Sequence, residues 1–281
     1  MSAYGYVICD VFTDTPLEGN QLAVFRDARD IPDARLQPLA REINFSETVY
    51  AYPAPGAAHA RIRIFTPAHE LPFAGHPVLG TAFVLAASNG DDEIRLETGR
   101  GVVPIAMRRA GGRPAFGWMR QPLPSPAPFP DVDALLAALG VGRSVLPVEV
   151  YDNGVRHVYV TLPDENAVAQ LRPNIGALAR VAGECGVNCI AGSGRRWKTR
   201  MFAPGVGVVE DPATGSAAGP LAVHLVRHGR IDYGEEIQIS QGAELRRPST
   251  LHAKAGGSDG RLESVEVGGS AVIVGRGEFT L

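Results

Sequence analysis

Arg63-Ile64-Phe65-Thr66-Pro67, leading into Glu70-Leu71-Pro72-Phe73-Ala74-Gly75-His76, decides how this chain folds, because the phrase occurs again. Its second version is Arg200-Met201-Phe202-Ala203-Pro204, leading into Glu210-Asp211-Pro212-Ala213-Thr214-Gly215-Ser216. In each version an apolar strand-like run passes through a Pro/Gly turn into an alanine-rich stretch of helical character. The match extends outward in the same order. Glu93-Ile94-Arg95-Leu96 reaches Gly99 as Glu236-Ile237-Gln238-Ile239 reaches Gly242. Upstream, Leu39-Ala40-Arg41 corresponds to Leu178-Ala179-Arg180, and the run Gly19 to Phe25 to the run Gly154 to Val160. The chain reads as two copies of one unit.

Within the first copy, Val7 to Phe12 and Gln21 to Phe25 are rich in β-branched and aromatic residues and are expected to be strands. Asp33 to Ile43 carries Leu36, Leu39, Ala40 and Ile43 at helical spacing. Thr48 to Tyr52 and Arg61 to Phe65 return to strand, and Gly80 to Ala87 is small and apolar throughout, as in a helix buried on all sides. Glu93 to Leu96, Gly101 to Met107 and Ala115 to Met119 resemble a meander. This order favours an α+β domain, a mostly antiparallel sheet around a buried helix, over alternating βαβ units, with two helices in each half. Gln121-Pro122-Leu123-Pro124-Ser125-Pro126-Ala127-Pro128-Phe129-Pro130 has proline at every second position, which removes ladder donors and favours an extended linker. The expected division is a first domain over 1–120, a linker over 121–130 and a second domain over 131–281, with the last strand, about 271–281, able to return to the first.

Composition removes several classes of function. A chain of 281 residues, 45% hydrophobic and 20% charged, is an ordinary globular protein, and its net charge of −3 gives no pull toward nucleic acid or anionic membrane. No apolar run approaches the roughly 20 residues that span a bilayer. The N-terminus enters strand-like sequence without a signal-peptide pattern. Three cysteines, Cys9, Cys185 and Cys189, make no disulfide framework, so a reducing cytoplasm is expected. There is no phosphate loop, no dinucleotide fingerprint and no G-x-S-x-G elbow, and no His/Cys/carboxylate set has metal-ligand spacing; no cofactor or metal is expected.

The chemistry is expected at the two helix starts. Unpaired first-turn N–H groups and the helix dipole suit a carboxylate there, and Gly75 and Gly215 stand where the chain turns tightly or a ligand comes close. The alternative is plain capping by Thr214 and Ser216. His76 breaks an apolar run and aligns with Ser216. Asp211 could hold an ammonium group or orient a histidine, or simply form a turn with Pro212. Glu47, in Asn44-Phe45-Ser46-Glu47-Thr48-Val49, has only Gly186-Val187-Asn188-Cys189 opposite it in the second copy, so one general acid/base is expected and not two. His59, His69, His228 and His252 have no such context and are expected at the surface or in structural roles.

Taken together, these segments resemble the PhzF family of phenazine-biosynthesis isomerases, relatives of diaminopimelate epimerase. The matching phrases are Pro16-Leu17-Glu18-Gly19-Asn20 with Ala23-Val24-Phe25, Asn44 to Thr48, Ile64 to Pro67 with Leu71 to Pro77, and Asp211 to Pro220, and the similarity runs on through Asn153-Gly154 to His157, Gly194 to Met201 and Gly275-Arg276-Gly277. The resemblance implies two similar domains, each an antiparallel barrel around a central helix, with the site in the cleft between them. It implies a homodimer without cofactor that isomerises an anthranilate-type substrate, trans-2,3-dihydro-3-hydroxyanthranilate. On this likeness Glu47, His76, Asp211 and Ser216 are the catalytic residues, with Asn20, Gly75, Thr214 and Gly215 binding substrate. The epimerase relatives carry cysteines at the two helix starts, which here are His76 and Ser216. Action on another small amino or hydroxy acid, or a non-catalytic binding role, are the competing readings.

Overall fold

A computed structural model describes residues 2–281. The chain divides into two compact units, one running to Arg120 and including Gly268–Leu281, the other spanning Gln121–Val267. The first unit contains β1 (Ala3–Val11), β2 (Asn20–Phe25), α1 (Asp33–Ile43), β3 (Glu47–Tyr52), β4 (Ala60–Phe65), β5 (Glu70–Leu71), α2 (Gly75–Asn89), β6 (Glu93–Thr98), β7 (Gly101–Ala110) and β8 (Arg113–Gln121). The second contains β9 (Ser125–Pro128), α3 (Val132–Leu139), β10 (Glu149–Asp152), β11 (Arg156–Thr161), α4 (Glu165–Ala169), α5 (Ile175–Ala182), β12 (Gly186–Ser193), β13 (Arg196–Ala203), β14 (Val208–Asp211), α6 (Gly215–Arg227), β15 (Glu236–Gln241), β16 (Ser249–Ser258) and β17 (Arg261–Gly269). The final strand, β18 (Ala271–Thr280), pairs antiparallel with β1 along its whole length.

Strand pairing repeats between the units. β2 runs parallel to β3, β3 antiparallel to β4, and β4 parallel to β6. In the second unit β11 runs parallel to β12, β12 antiparallel to β13, and β13 parallel to β15. Each unit therefore contains two β-α-β crossovers inside an otherwise antiparallel sheet. A helix-length connection returns the chain to the end where the previous strand began, and the next strand is then parallel. The sequence reading missed these crossovers because short strands flanked by glycine and proline look alike whichever way they run.

The repeated phrase also repeats a clasp. Arg63 forms a two-pronged ion pair with Glu70, at 2.8 and 2.7 Å, tying β4 to β5. Arg200 does the same with Glu210, at 2.8 and 2.8 Å, tying β13 to β14. Paired N–H donors on a planar guanidinium fix both distance and orientation, so each clasp fixes the turn that delivers the following helix.

The helices α2 and α6 are the centres of their units. α2 is buried from Gly75 through Val84 and packs on β1, β2, β3, β6, β7 and β18. A side chain at Gly80 would meet Leu22 and Val11 at 2.7 Å, so glycine there sets how close α2 lies to β1 and β2. α6 is buried from Gly215 through Leu225 and packs on β11 and β16. Around the first unit's sheet, α1 covers an aromatic cluster in which Phe25 stacks on Tyr50 and Tyr50 meets Phe65 edge-on.

Two local expectations are corrected. The second unit has two further helices, α3 and α4, which with α5 cover a core of Leu135, Leu139, Val168 and Leu178. Their N-caps, Asp131 and Asp164, each accept from a backbone N–H three residues on. The proline-rich stretch is not all linker: β9 pairs antiparallel with β10, matching Pro126 to Tyr151 and Pro128 to Glu149. Prolines two residues apart place their missing donors along one edge, so the other edge can still pair.

Candidate active site

In the first unit, register sets the cluster. Glu47 opens β3 opposite Leu22 of β2, and His76 is the second residue of α2. Glu47 Oε2 lies 3.4 Å from His76 Nε2, the side chains being 14% and 4% exposed respectively. Asn20, the first residue of β2, places its amide nitrogen 3.3 Å from His76 Nδ1. Burial pushes the His76 imidazole down to about 3, against a hydrogen bond with the Gln21 backbone that favours its charged form. The ring is therefore neutral at physiological pH and carries one proton. His76 Nε2 and Glu47 Oε2 face one another without a hydrogen bond between them. Three of the residues singled out in the first copy, Asn20, Glu47 and His76, thus form one buried chain of contacts, with Gly75 next to the histidine.

The second unit holds a different cluster at the equivalent helix start. Asp211 ends β14, and its Oδ2 accepts from the Thr214 hydroxyl at 2.6 Å. Gln241, the last residue of β15, donates to the Asp211 carbonyl at 2.8 Å and to the Thr214 hydroxyl at 2.9 Å, and accepts from the Thr214 N–H at 3.1 Å. Ser216 Oγ lies 3.0 Å from His157 Nε2. Burial holds the His157 imidazole down at about 4, so this ring too is neutral. The Asn188 amide nitrogen stands 3.5 Å from its Nδ1, which leaves the ring proton on Nε2 to be donated to Ser216. The Ser216 hydroxyl then has its own proton free to donate to an acceptor such as a carboxylate. Below it, Asn153 donates to the Ser216 carbonyl and Gln121 to the Gly215 carbonyl, both at 2.9 Å.

Plain capping does not account for these helix starts. Thr214 occupies the N-cap position of α6 but makes no capping bond, its hydroxyl being committed to Asp211. Ala74 at the N-cap of α2 has no side chain that could cap.

The register also identifies the counterpart of Glu47. Aligning Phe65 with Phe202, which pair with Thr48 and Val187, makes Gly186 the equivalent of Glu47 and His157 the equivalent of Leu22. A side chain at Gly186 would meet His157 Nδ1 at 2.7 Å. In one copy an acid on β3 reaches the helix start; in the other, a histidine on β11 fills that space.

A protein-family description, the PhzC-PhzF phenazine biosynthesis-like proteins, matches residues 9–277. The chain belongs to this family. A trans-2,3-dihydro-3-hydroxyanthranilate isomerase of Pseudomonas fluorescens is 48% identical over 99% of this chain and 100% of its own length. Among solved structures, a "predicted epimerase" of Pseudomonas aeruginosa superposes with a TM-score of 0.85 at 33% identity, covering 99% of both chains. A PhzF-family phenazine biosynthesis protein of Bacillus anthracis reaches a TM-score of 0.87 over 100% of both chains; at 24% identity this is a likeness of fold.

For this PhzC-PhzF member, cysteine bases are unsuited. Cys9, Cys185 and Cys189 are buried, free thiols, and burial pushes all three up, Cys189 to about 12, so none is a thiolate at neutral pH. The sequence reading missed His157, Asn188 and Gln241. His157 lay within the matched run Gly154 to Val160, but only strand register reveals that it faces Gly186. Neither cluster offers three metal-ligand atoms to one point; among the described residues, Glu149, His224 and His228 do so elsewhere in the second unit.

Proposed function

We propose that this chain isomerises trans-2,3-dihydro-3-hydroxyanthranilate, with Glu47 carrying the proton. The observation that carries this reading is the buried Glu47–His76 contact at 3.4 Å, with glycine at the matching position of the second copy. Identity of 48% to isomerases of that name supports the substrate. In the proposed step Glu47 takes the proton from the ring carbon that bears the hydroxyl and returns it to another ring carbon; the resulting enol tautomerises to the amino-ketone. One carboxylate can serve both carbons if the ring is held still, which is a proximity effect. The neutral His76 packs against Glu47 and fixes where the carboxylate sits as its charge comes and goes. The second unit's cluster is assigned to the same substrate: Ser216 and the first turn of α6 to the carboxylate, Asp211 to the amine.

The proposal includes a cytoplasmic homodimer, supported by the family resemblance and, for the compartment, by the free thiols. No helix among the described residues is long and apolar enough to cross a membrane. Incubating the purified protein with the substrate and following the ultraviolet spectrum tests the assignment. Conversion is expected; a folded protein that leaves the spectrum unchanged would sink it, and turnover of a different small amino or hydroxy acid would redirect it.

A further inference from the structure

We propose that Glu149, His224 and His228 form a binding site for a divalent transition-metal ion of the zinc class, which clasps the C-terminal end of α6 to β10. Glu149 Oε2 lies 3.4 Å from His224 Nδ1 and 2.9 Å from His228 Nε2, and one ligand atom from each of the three lies within 4.8 Å of the others. Zinc bonds to nitrogen and oxygen near 2.0–2.1 Å place tetrahedral ligand atoms about 3.3 Å apart. The two Glu149 spacings lie within about 0.4 Å of that value. His224 and His228 are four residues apart and lie on one face of the helix end, so the two imidazoles arrive as a preset pair.

The chemistry of the set also fits. A metal needs lone pairs, so its histidines must be neutral. His224 Nδ1 is turned toward Glu149. The Tyr151 hydroxyl donates to Glu149 Oε2 at 2.7 Å and stands 3.2 Å from His224 Nδ1. Tyr151 thus orients both the carboxylate and the His224 ring from outside the ligand set, and water would complete the coordination of a bound ion. Arg227 approaches the other oxygen, Oε1, at 3.5 Å with a side chain 44% exposed, so it can steady Glu149 without occupying Oε2. Glu149 and His228 keep 14% and 18% of their surfaces open, which gives an ion a way in. His224 Nε2 is buried without a partner, and the ring stacks on Tyr159. This histidine is fully enclosed, and its Nδ1 meets Glu149 and the Tyr151 hydroxyl.

Such an ion would act on stability. His224 is eight residues past Ser216, about 12 Å along α6, and an ion held only by the folded chain raises the melting temperature with its concentration. The test strips the full-length protein with a chelator and titrates it with zinc chloride by calorimetry, alongside thermal melts and a cobalt(II) titration. The expected result is one zinc per chain, a melting temperature that climbs with zinc, and the intense visible bands of four-coordinate cobalt. His228→Gln, at the partly open end of the site, should weaken zinc binding at least about tenfold while isomerase turnover stays unchanged. His252→Gln, at an exposed histidine paired with Glu236, should leave zinc binding as it was. Absence of saturable zinc binding, a pale six-coordinate cobalt spectrum in the wild type, or a His228→Gln titration that overlays the wild type would overturn the site.

Discussion

The two copies differ least where they hold the fold and most where they hold polar side chains against a helix start. In the first, Glu47 on β3 meets His76 on α2 at 3.4 Å. In the second, His157 on β11 meets Ser216 on α6 at 3.0 Å, and the position of Glu47 is Gly186. The bulk has moved from one strand to its parallel neighbour, and with it the chemistry. A carboxylate and a neutral imidazole can pass a proton; a neutral imidazole donating to a hydroxyl can only aim a donor. Duplication supplies two equivalent frames, and exchanging one pair of facing residues gives them separate tasks.

The sharpest break of this asymmetry is Glu47→Gln. It keeps the shape and removes the base, so kcat should fall about 10²–10⁴-fold in the ultraviolet assay while a calorimetric titration with an anthranilate analogue stays nearly level. Equal activity in both proteins would show that the base lies elsewhere.

The two clasps give a second contrast, this time in stability. Arg200 and Glu210 are 7% and 11% exposed, whereas Arg63 and Glu70 are 28% and 41% exposed. Breaking a buried pair strands a charge, so Glu210→Gln should cost about 3–5 kcal/mol. Arg200 also donates to the carbonyls of Val168, Ala169 and Leu171, which favours the lower end. Glu70→Gln should cost only about 0–1 kcal/mol. Urea unfolding of both variants measures the difference, and equal losses would contradict the burial argument.

Much of this was legible in the sequence because it was written twice. The order of elements, the buried central helices and the place of Glu47, His76, Asp211 and Ser216 follow from the repeated phrase and its mismatches. What escaped depends on partners distant along the chain. His157 acquires its role only from Gly186, and that pairing needs a parallel register invisible to local patterning. Gln241 reaches Thr214 from the end of β15, and Glu149 lies on a strand far upstream of the histidines it meets. β9 looked like a linker because its prolines hide a strand that pairs along one edge.

Gly186→Ala probes the exchange from the other side. The added carbon would sit 2.7 Å from His157 Nδ1, and overpacking of this kind costs about 1–3 kcal/mol. The imidazole must move, so ligand affinity through Ser216 should weaken as stability falls. A variant as stable and as tight-binding as the wild type would mean that the glycine is not reserved for His157.

A further effect should appear with pH. Burial lowers His76 to about 3 and His157 and His224 to about 4, from 6.5. As pH falls through 6.5 the unfolded chain takes up protons that the folded chain refuses, so stability is full above about 6.5 and declines toward 4. Thermal melts between pH 7.5 and 5 should show that decline; a level or rising profile would mean that these rings are charged in the folded state.

The central claim, that one carboxylate both takes and returns the proton, is tested most directly with substrate deuterated at the hydroxyl-bearing ring carbon. In ordinary water, the account predicts that NMR of the product finds a substantial part of that deuterium on the ring carbon that receives the shuttled proton. Complete replacement by solvent hydrogen during a single turnover would contradict it.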